Sequence, residues 1–114
     1  MKKIIYISIS VFLLCSCTTQ KKLYSWNKYQ STSYNYLKNN DDKSTEELMK
    51  TYKLIIEKQT GTRGVVPPGI YADYGFLLLK ANKTSEGKEM LQKEIELYPE
   101  SKIFIDKILK KIER

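Results

Sequence analysis

Histidine is absent from the chain, and its only two cysteines, Cys15 and Cys17, fall in one tripeptide near the start. Without histidine there are no Ser–His or Cys–His nucleophile pairs and no His-based zinc sites. With both thiols in one place, no disulfide can brace the body of the chain, so stability must come from buried apolar surface. Only three prolines and five glycines occur. No glycine-rich pattern suited to cradling phosphate is present. The longest uncharged apolar stretch, Ile4 to Leu14, falls short of the roughly 20 residues that a membrane-spanning helix needs. Acidic residues form no catalytic set either. Asp41-Asp42 reads as a solvated turn, and Glu94 and Glu96, two apart on a helix, point to different faces. The expectation is therefore no enzyme, no cofactor and no metal site.

What is present begins with the first 17 residues. Lys2-Lys3, the apolar stretch and small Ser16 give the charged, apolar, small-residue order of an export signal. Leu14-Cys15-Ser16-Cys17 resembles the lipobox of bacterial lipoproteins. A thiolate is the strongest protein nucleophile near neutral pH, so Cys17 can accept a diacylglyceryl group, with cleavage between Ser16 and Cys17. The resemblance implies a signal peptide at 1–16, a lipidated tether at 17–22 and membrane lipid as a partner of acylated Cys17. Three acyl chains are implied, where one alone binds only marginally. Thr18 rather than Asp after the cysteine implies the outer membrane, facing the periplasm, in a cell with two membranes.

Removal of 1–16 takes Lys2 and Lys3 and no acid, leaving 18 basic against 13 acidic side chains of the 20 and 13 in the whole chain. Lysines alternate with glutamates along helical stretches. That is a solvated charged surface, or one drawn to anionic lipid or an acidic partner. Nucleic acid is not expected for an exported protein.

From residue 23 onward the apolar spacing predicts an all-α domain of about five helices. A first helix runs from Leu23 through Trp26, Tyr29, Tyr36 and Leu37 to the stop at Asn39–Asp42. Ser44 and Glu47 match a capping box for a second, with Leu48, Tyr52, Ile55 and Ile56 on one face. Residues 60–69 gather most of the glycine and proline and break helix. A third helix is expected from about Pro68 to Ala81, with Asn82 as a left-handed end. Ser85 caps a fourth, carrying Met90, Leu91, Ile95 and Leu97. A fifth begins near Glu100 with an apolar stripe of Phe104, Ile105, Ile108, Leu109 and Ile112.

Tyr71, Tyr74-Gly75, Leu78, Gly87, Leu91, Glu94 and Pro99 stand at the offsets of one tetratricopeptide repeat, and residues 68–101 resemble that helix–turn–helix unit. Glu94 stands where a small residue is usual. The pattern implies antiparallel hairpins in which Gly75 and Gly87 mark the closest helix approach, with the fifth helix as a cap. Helices one and two look like a degenerate hairpin of the same kind.

Leu23-Tyr24-Ser25-Trp26-Asn27-Lys28-Tyr29, Pro67-Pro68-Gly69-Ile70-Tyr71-Ala72, Gly75 and Glu94 through Pro99-Glu100-Ser101 resemble a family of small lipoproteins known by a domain of unknown function, DUF4810. In that family Gly commonly stands where Asn27 is, and Glu is ordinary at the Glu94 position. Members are often encoded beside a curli-secretion-type pore lipoprotein and another small lipoprotein. The resemblance implies an envelope-protein partner and supplies no catalytic residues.

Two functions lead, with a small self-assembling lipoprotein as a third reading. One is a lipid-anchored, non-enzymatic adaptor that binds another envelope protein. The other is a structural envelope lipoprotein lying against lipid or cell wall through its basic surface. For the adaptor, candidate contact residues are Tyr24 and Tyr34 from the aromatic-rich first segment, and Arg63, Pro67 and Pro68 from the loop. Ala72, Phe76 and Leu79 complete the set, as the inner face of the third helix. Tyr and Trp are enriched in binding sites, although Trp26 and Tyr29 lie on the packing stripe. Oligomeric state is left open.

Overall fold

The computed structural model describes residues 1–6 and 19–114. The lipobox, with Ser16 and Cys17, lies outside the described residues, as does the cleavage point. Residues 2–6 are helical. Five further helices follow: α1 Tyr29–Asn39, α2 Asp42–Glu57, α3 Ile70–Lys80, α4 Thr84–Leu97 and, after a 3-10 turn at Pro99–Ser101, α5 Lys102–Ile112. Among the described residues there is no strand. The all-α expectation holds. Turns of two or three residues join α1 to α2 and α3 to α4, which makes each pair an antiparallel hairpin. α3 packs on α2, and α5 lies on α4 and the 3-10 turn.

Local chemistry sets the turns, and it moves two of the expected caps. Asn40 ends α1 in the left-handed region at φ 48°. Asp41, not Ser44, is the N-cap of α2. Its carboxylate accepts the Ser44 N–H at 2.7 Å, while Ser44 Oγ accepts the Asp41 N–H at 3.2 Å. The reciprocal pair satisfies two free donors three residues earlier than a Ser44–Glu47 box would. Asn82 does close α3 in the left-handed region, at φ 61°. Ser85 caps nothing, because α4 starts at Thr84 with Lys83 before it and no side-chain cap.

The core joins Leu48, Tyr52 and Ile55 of α2 to Val66 and to Ile70, Tyr74, Leu77 and Leu78 of α3. Leu91 of α4 and Ile105 of α5 are fully enclosed. Gly75 and Gly87 form the tight crossing of α3 on α4. A Cβ on Gly75 would stand 2.8 Å from the Gly87 carbonyl oxygen, and one on Gly87 would stand 2.7 Å from Leu79 Cγ. The seam thus has room for hydrogen and nothing larger.

Two further expectations fail. Residues 23–28 are not helical: α1 begins at Tyr29, and the preceding segment runs along the loop after α2. There the Thr62 and Arg63 N–H groups donate to the Lys22 and Leu23 carbonyls at 3.0 and 3.1 Å. The Gln59 amide grips Ser25 from both sides, accepting its N–H at 3.1 Å and donating to its carbonyl at 3.0 Å. Asn27 then takes φ 47°, a conformation that Gly adopts freely and Asn tolerates best of the rest. On α5 the expected stripe is only partly used. Ile105 is buried, Ile108 and Leu109 are half-buried, and Phe104 and Ile112 face solvent. The helix meets its neighbours through a narrow line, so most of its surface stays free.

All tertiary hydrogen bonds among the described residues lie between residues 22 and 113. The core lies within the same span. Among the described residues, the helices are thus held together by contacts within residues 22–113.

Candidate functional site

Between α1, α2 and α3 opens a cleft of about 240 Å³. Leu48, Tyr52 and Leu77 line it from the core side, with Tyr29, Tyr36 and Phe76 beside them. Helical spacing places Tyr29, Ser33 and Tyr36 on one face of α1, and Asp73, Phe76 and Leu77 on one face of α3. Phe76 is 47% exposed and Leu37, at the α1 edge, 78% exposed. Both are apolar side chains left open to solvent beside the cleft.

Two charges mark the ends of this aromatic surface. The Lys80 Nζ donates to the Tyr36 hydroxyl at 3.1 Å and lies 5.9 and 6.0 Å from the Tyr36 and Phe76 ring centres. These are cation–π distances, and the alkyl stem extends the apolar rim. On the other side the Tyr29 hydroxyl donates to Asp73 Oδ2 at 3.3 Å. Burial raises the Asp73 carboxyl above its ordinary range, and the Tyr29 hydrogen bond opposes that rise. The Tyr29 hydroxyl is raised in turn, first by burial and then by the Asp73 charge. Burial also raises Tyr52, with Asp73 adding to it. Chemically, the cleft is an apolar and aromatic surface with an ammonium group at one end and a carboxyl at the other.

A run of rings leads from the cleft to the segment before α1. Tyr24 and Trp26 meet edge-on at 6.3 Å. Trp26–Tyr29, Tyr29–Tyr52 and Tyr52–Tyr74 follow at 5.7, 5.9 and 5.7 Å. Each spacing falls in the favourable range for aromatic pairs. Gly61 lets this segment pass, since a Cβ there would stand 2.5 Å from Tyr24 Cα. Tyr24 and Arg63 are brought together. The guanidinium donates to the Tyr24 hydroxyl at 2.8 Å and lies 5.5 Å from its ring centre.

The other candidate contact residues scatter. Pro67 is fully buried and unavailable to a partner, whereas Pro68 is exposed. Tyr34 is 62% exposed but borders a separate depression with Lys28 and Ser31. Of Ala72, Phe76 and Leu79, only Phe76 lines the cleft; Leu79 instead faces Gly87 in the α3–α4 seam. Ala72 is half-buried, and its N–H points at the Glu94 carboxylate, 3.4 Å away. Sequence reasoning missed Asp73, Ser33 and Lys80. Their only signal was a helical spacing to Phe76 or Tyr29.

Among the described residues no group of three or more Cys, Asp or Glu is placed to hold a metal ion, and no helix is long and apolar enough to cross a membrane. No curated protein and no solved structure matches the chain. A family model does match, over residues 23–108, from the segment that feeds the aromatic run to the middle of α5. The chain belongs to that family, described as a domain of unknown function, DUF4810.

Proposed function

We propose that this chain is a lipid-anchored envelope protein, held by acylated Cys17, whose tetratricopeptide-repeat-like body binds another envelope protein without catalysing a reaction. The carrying observation is the cleft between α1, α2 and α3, with the half-exposed Phe76 ring between Lys80 and Asp73. An amphipathic or extended segment laid there would bury Phe76 and Leu37 and exchange solvent for the Tyr36, Lys80 and Asp73 polar groups. Support for the anchor is the lipobox, and support for an envelope partner is the family resemblance, which points to neighbouring lipoproteins such as a curli-secretion-type pore. In a cell with two membranes, Thr18 rather than Asp after the cysteine supports the outer membrane, facing the periplasm.

Site-specific photocrosslinking in cells tests the adaptor reading. A photoreactive residue at Leu37 in the full-length chain should give one discrete envelope-protein adduct, which Phe76→Lys abolishes. A reactive residue at Lys50, on the exposed side of α2, should give none. Absence of any Leu37 adduct, or the same adducts from both positions, overturns the proposal. The anchor is tested separately: Cys17→Ser should leave an unprocessed precursor, and full processing with unchanged membrane retention would remove it.

A further inference from the structure

We infer that the outward face of α5 is a docking surface for an anionic phospholipid bilayer. At 100° per residue, Ile105 and Leu109 lie on the side turned toward α4, whereas Ile103, Phe104, Lys107, Lys110 and Lys111 share the opposite arc, with Arg114 just past the helix end. Ile103 is 74% exposed and Phe104 63%. Phe104 and Ile108 border a shallow depression of about 380 Å³ whose remaining walls are Lys107, Lys110, Lys111 and Arg114.

The distribution of charge chooses the occupant. The two acids of this region, Asp106 and Glu113, fall on the flank of the helix, and both are neutralised: Lys102 reaches Asp106 at 2.7 Å and Lys88 reaches Glu113 at 3.1 Å. The outward arc of α5 thus bears three cations, with Arg114 beside them past its end, and no carboxylate of its own helix. A second copy laid against it by two-fold symmetry would bring those cations face to face, which is repulsive. An apolar patch beside a cluster of lysines is instead the pattern of a helix lying at a lipid interface. The rings and aliphatic tips enter the acyl boundary there, while the lysine stems let their ammonium groups reach phosphate. Neither acylation nor the cleft is needed for this contact, so it stands or falls apart from the proposed function.

Vesicle co-sedimentation of residues 19–114 tests it, using phosphatidylcholine vesicles with and without one-third phosphatidylglycerol. The domain should sediment with the anionic vesicles, remain free of the neutral ones, and be released at 0.5 M salt. Reversing two charges, Lys107→Glu with Lys111→Glu, should weaken partitioning at least about tenfold, given roughly 1 kcal/mol per basic residue at such a surface. Phe104→Ala should weaken it severalfold. The control pair Lys43→Glu with Lys53→Glu changes net charge equally on α2 and should have a much smaller effect. Circular dichroism melts establish that each variant is folded. Equal loss in both pairs, no preference for anionic vesicles, or an α5-dependent dimer in solution would each overturn the inference.

Discussion

Glu94 of α4 closes the N-terminus of α3 from across the hairpin: its Oε1 accepts the Gly69 N–H at 2.7 Å and its Oε2 faces the Ala72 N–H at 3.4 Å. Gly69 stands at the N-cap position with no side chain to offer, so the donors that a local Ser or Asp would satisfy are met by a residue 25 positions away. The carboxylate is 1% exposed. A negative group at a helix N-terminus also meets the positive end of the helix dipole. The unusual acid in the repeat pattern thus holds α3 and α4 in register.

Replacing Glu94 tests this directly. Glu94→Ala strips two half-buried N–H groups of their partner and leaves a void, and should cost about 2–4 kcal/mol in urea denaturation of residues 19–114. Glu94→Gln keeps an acceptor oxygen but loses the charge, and should cost about 1 kcal/mol. An Ala variant as stable as the parent would mean that the Gly69 contact contributes nothing.

The α3–α4 seam makes a second case. Gly87→Ala improves intrinsic helix propensity by about 1 kcal/mol, yet its new methyl would press on Leu79 Cγ and on the Gly75 backbone oxygen. Backbone cannot yield as a side-chain tip can. The helices must move apart, and a net loss of about 1–3 kcal/mol is expected. Thermal melts showing a gain would place the crossing elsewhere.

What was legible in the sequence follows from range. Gly75, Gly87 and the helical periodicities act within one turn or at fixed offsets, so spacing displays them. Ser44–Glu47 matches the capping-box pattern and Asp41–Ser44 does not, yet the fold forms the latter, with the Ser44 hydroxyl in place of a Glu side chain. Leu23, Trp26 and Tyr29 mimic a helical stripe. Backbone bonds to residues 62 and 63 and the Gln59 amide override that spacing, and nothing adjacent in sequence announces them. Phe76 was assigned to a binding face from its repeat position. Asp73 and Lys80 acquire meaning only once α1 brings Tyr29 and Tyr36 against them.

Tyr98 supplies an alkaline test. Its hydroxyl donates to the Val66 carbonyl at 2.7 Å, tying the end of α4 to the loop before α3. Burial, with Tyr24 beside it, pushes its pKa up to about 12. A raised pKa means that the stabilisation is complete below the unfolded value of 10.0 and is lost as pH climbs through the folded one. Stability should therefore fall between about pH 10 and 12, and Tyr98→Phe should flatten that fall while costing about 1 kcal/mol at neutral pH. Absorbance titration of phenolate beside unfolding midpoints provides the check.

On the acid side two carboxylates should act with opposite sign. Ser44, through its hydroxyl and then its backbone N–H, holds Asp41 below its ordinary 3.8, so its contribution is present above that value and disappears as pH drops through the folded pKa. Burial holds Asp73 above 3.8; its ionised form weighs against folding, so stability is regained as pH falls from its folded pKa through 3.8. Asp41→Ala should thus be less stable at pH 7 and lose less on acidification, because the proton-sensitive cap is gone. Asp73→Asn should be more stable at pH 7 and decline more steeply than the parent toward pH 3, since it lacks the compensating gain. Urea midpoints measured from pH 7 to 3 separate the two. If both variants shifted the acid limb in the same direction, the desolvation assigned to Asp73 beside Tyr29 would be wrong, and with it the polar end proposed for the binding surface.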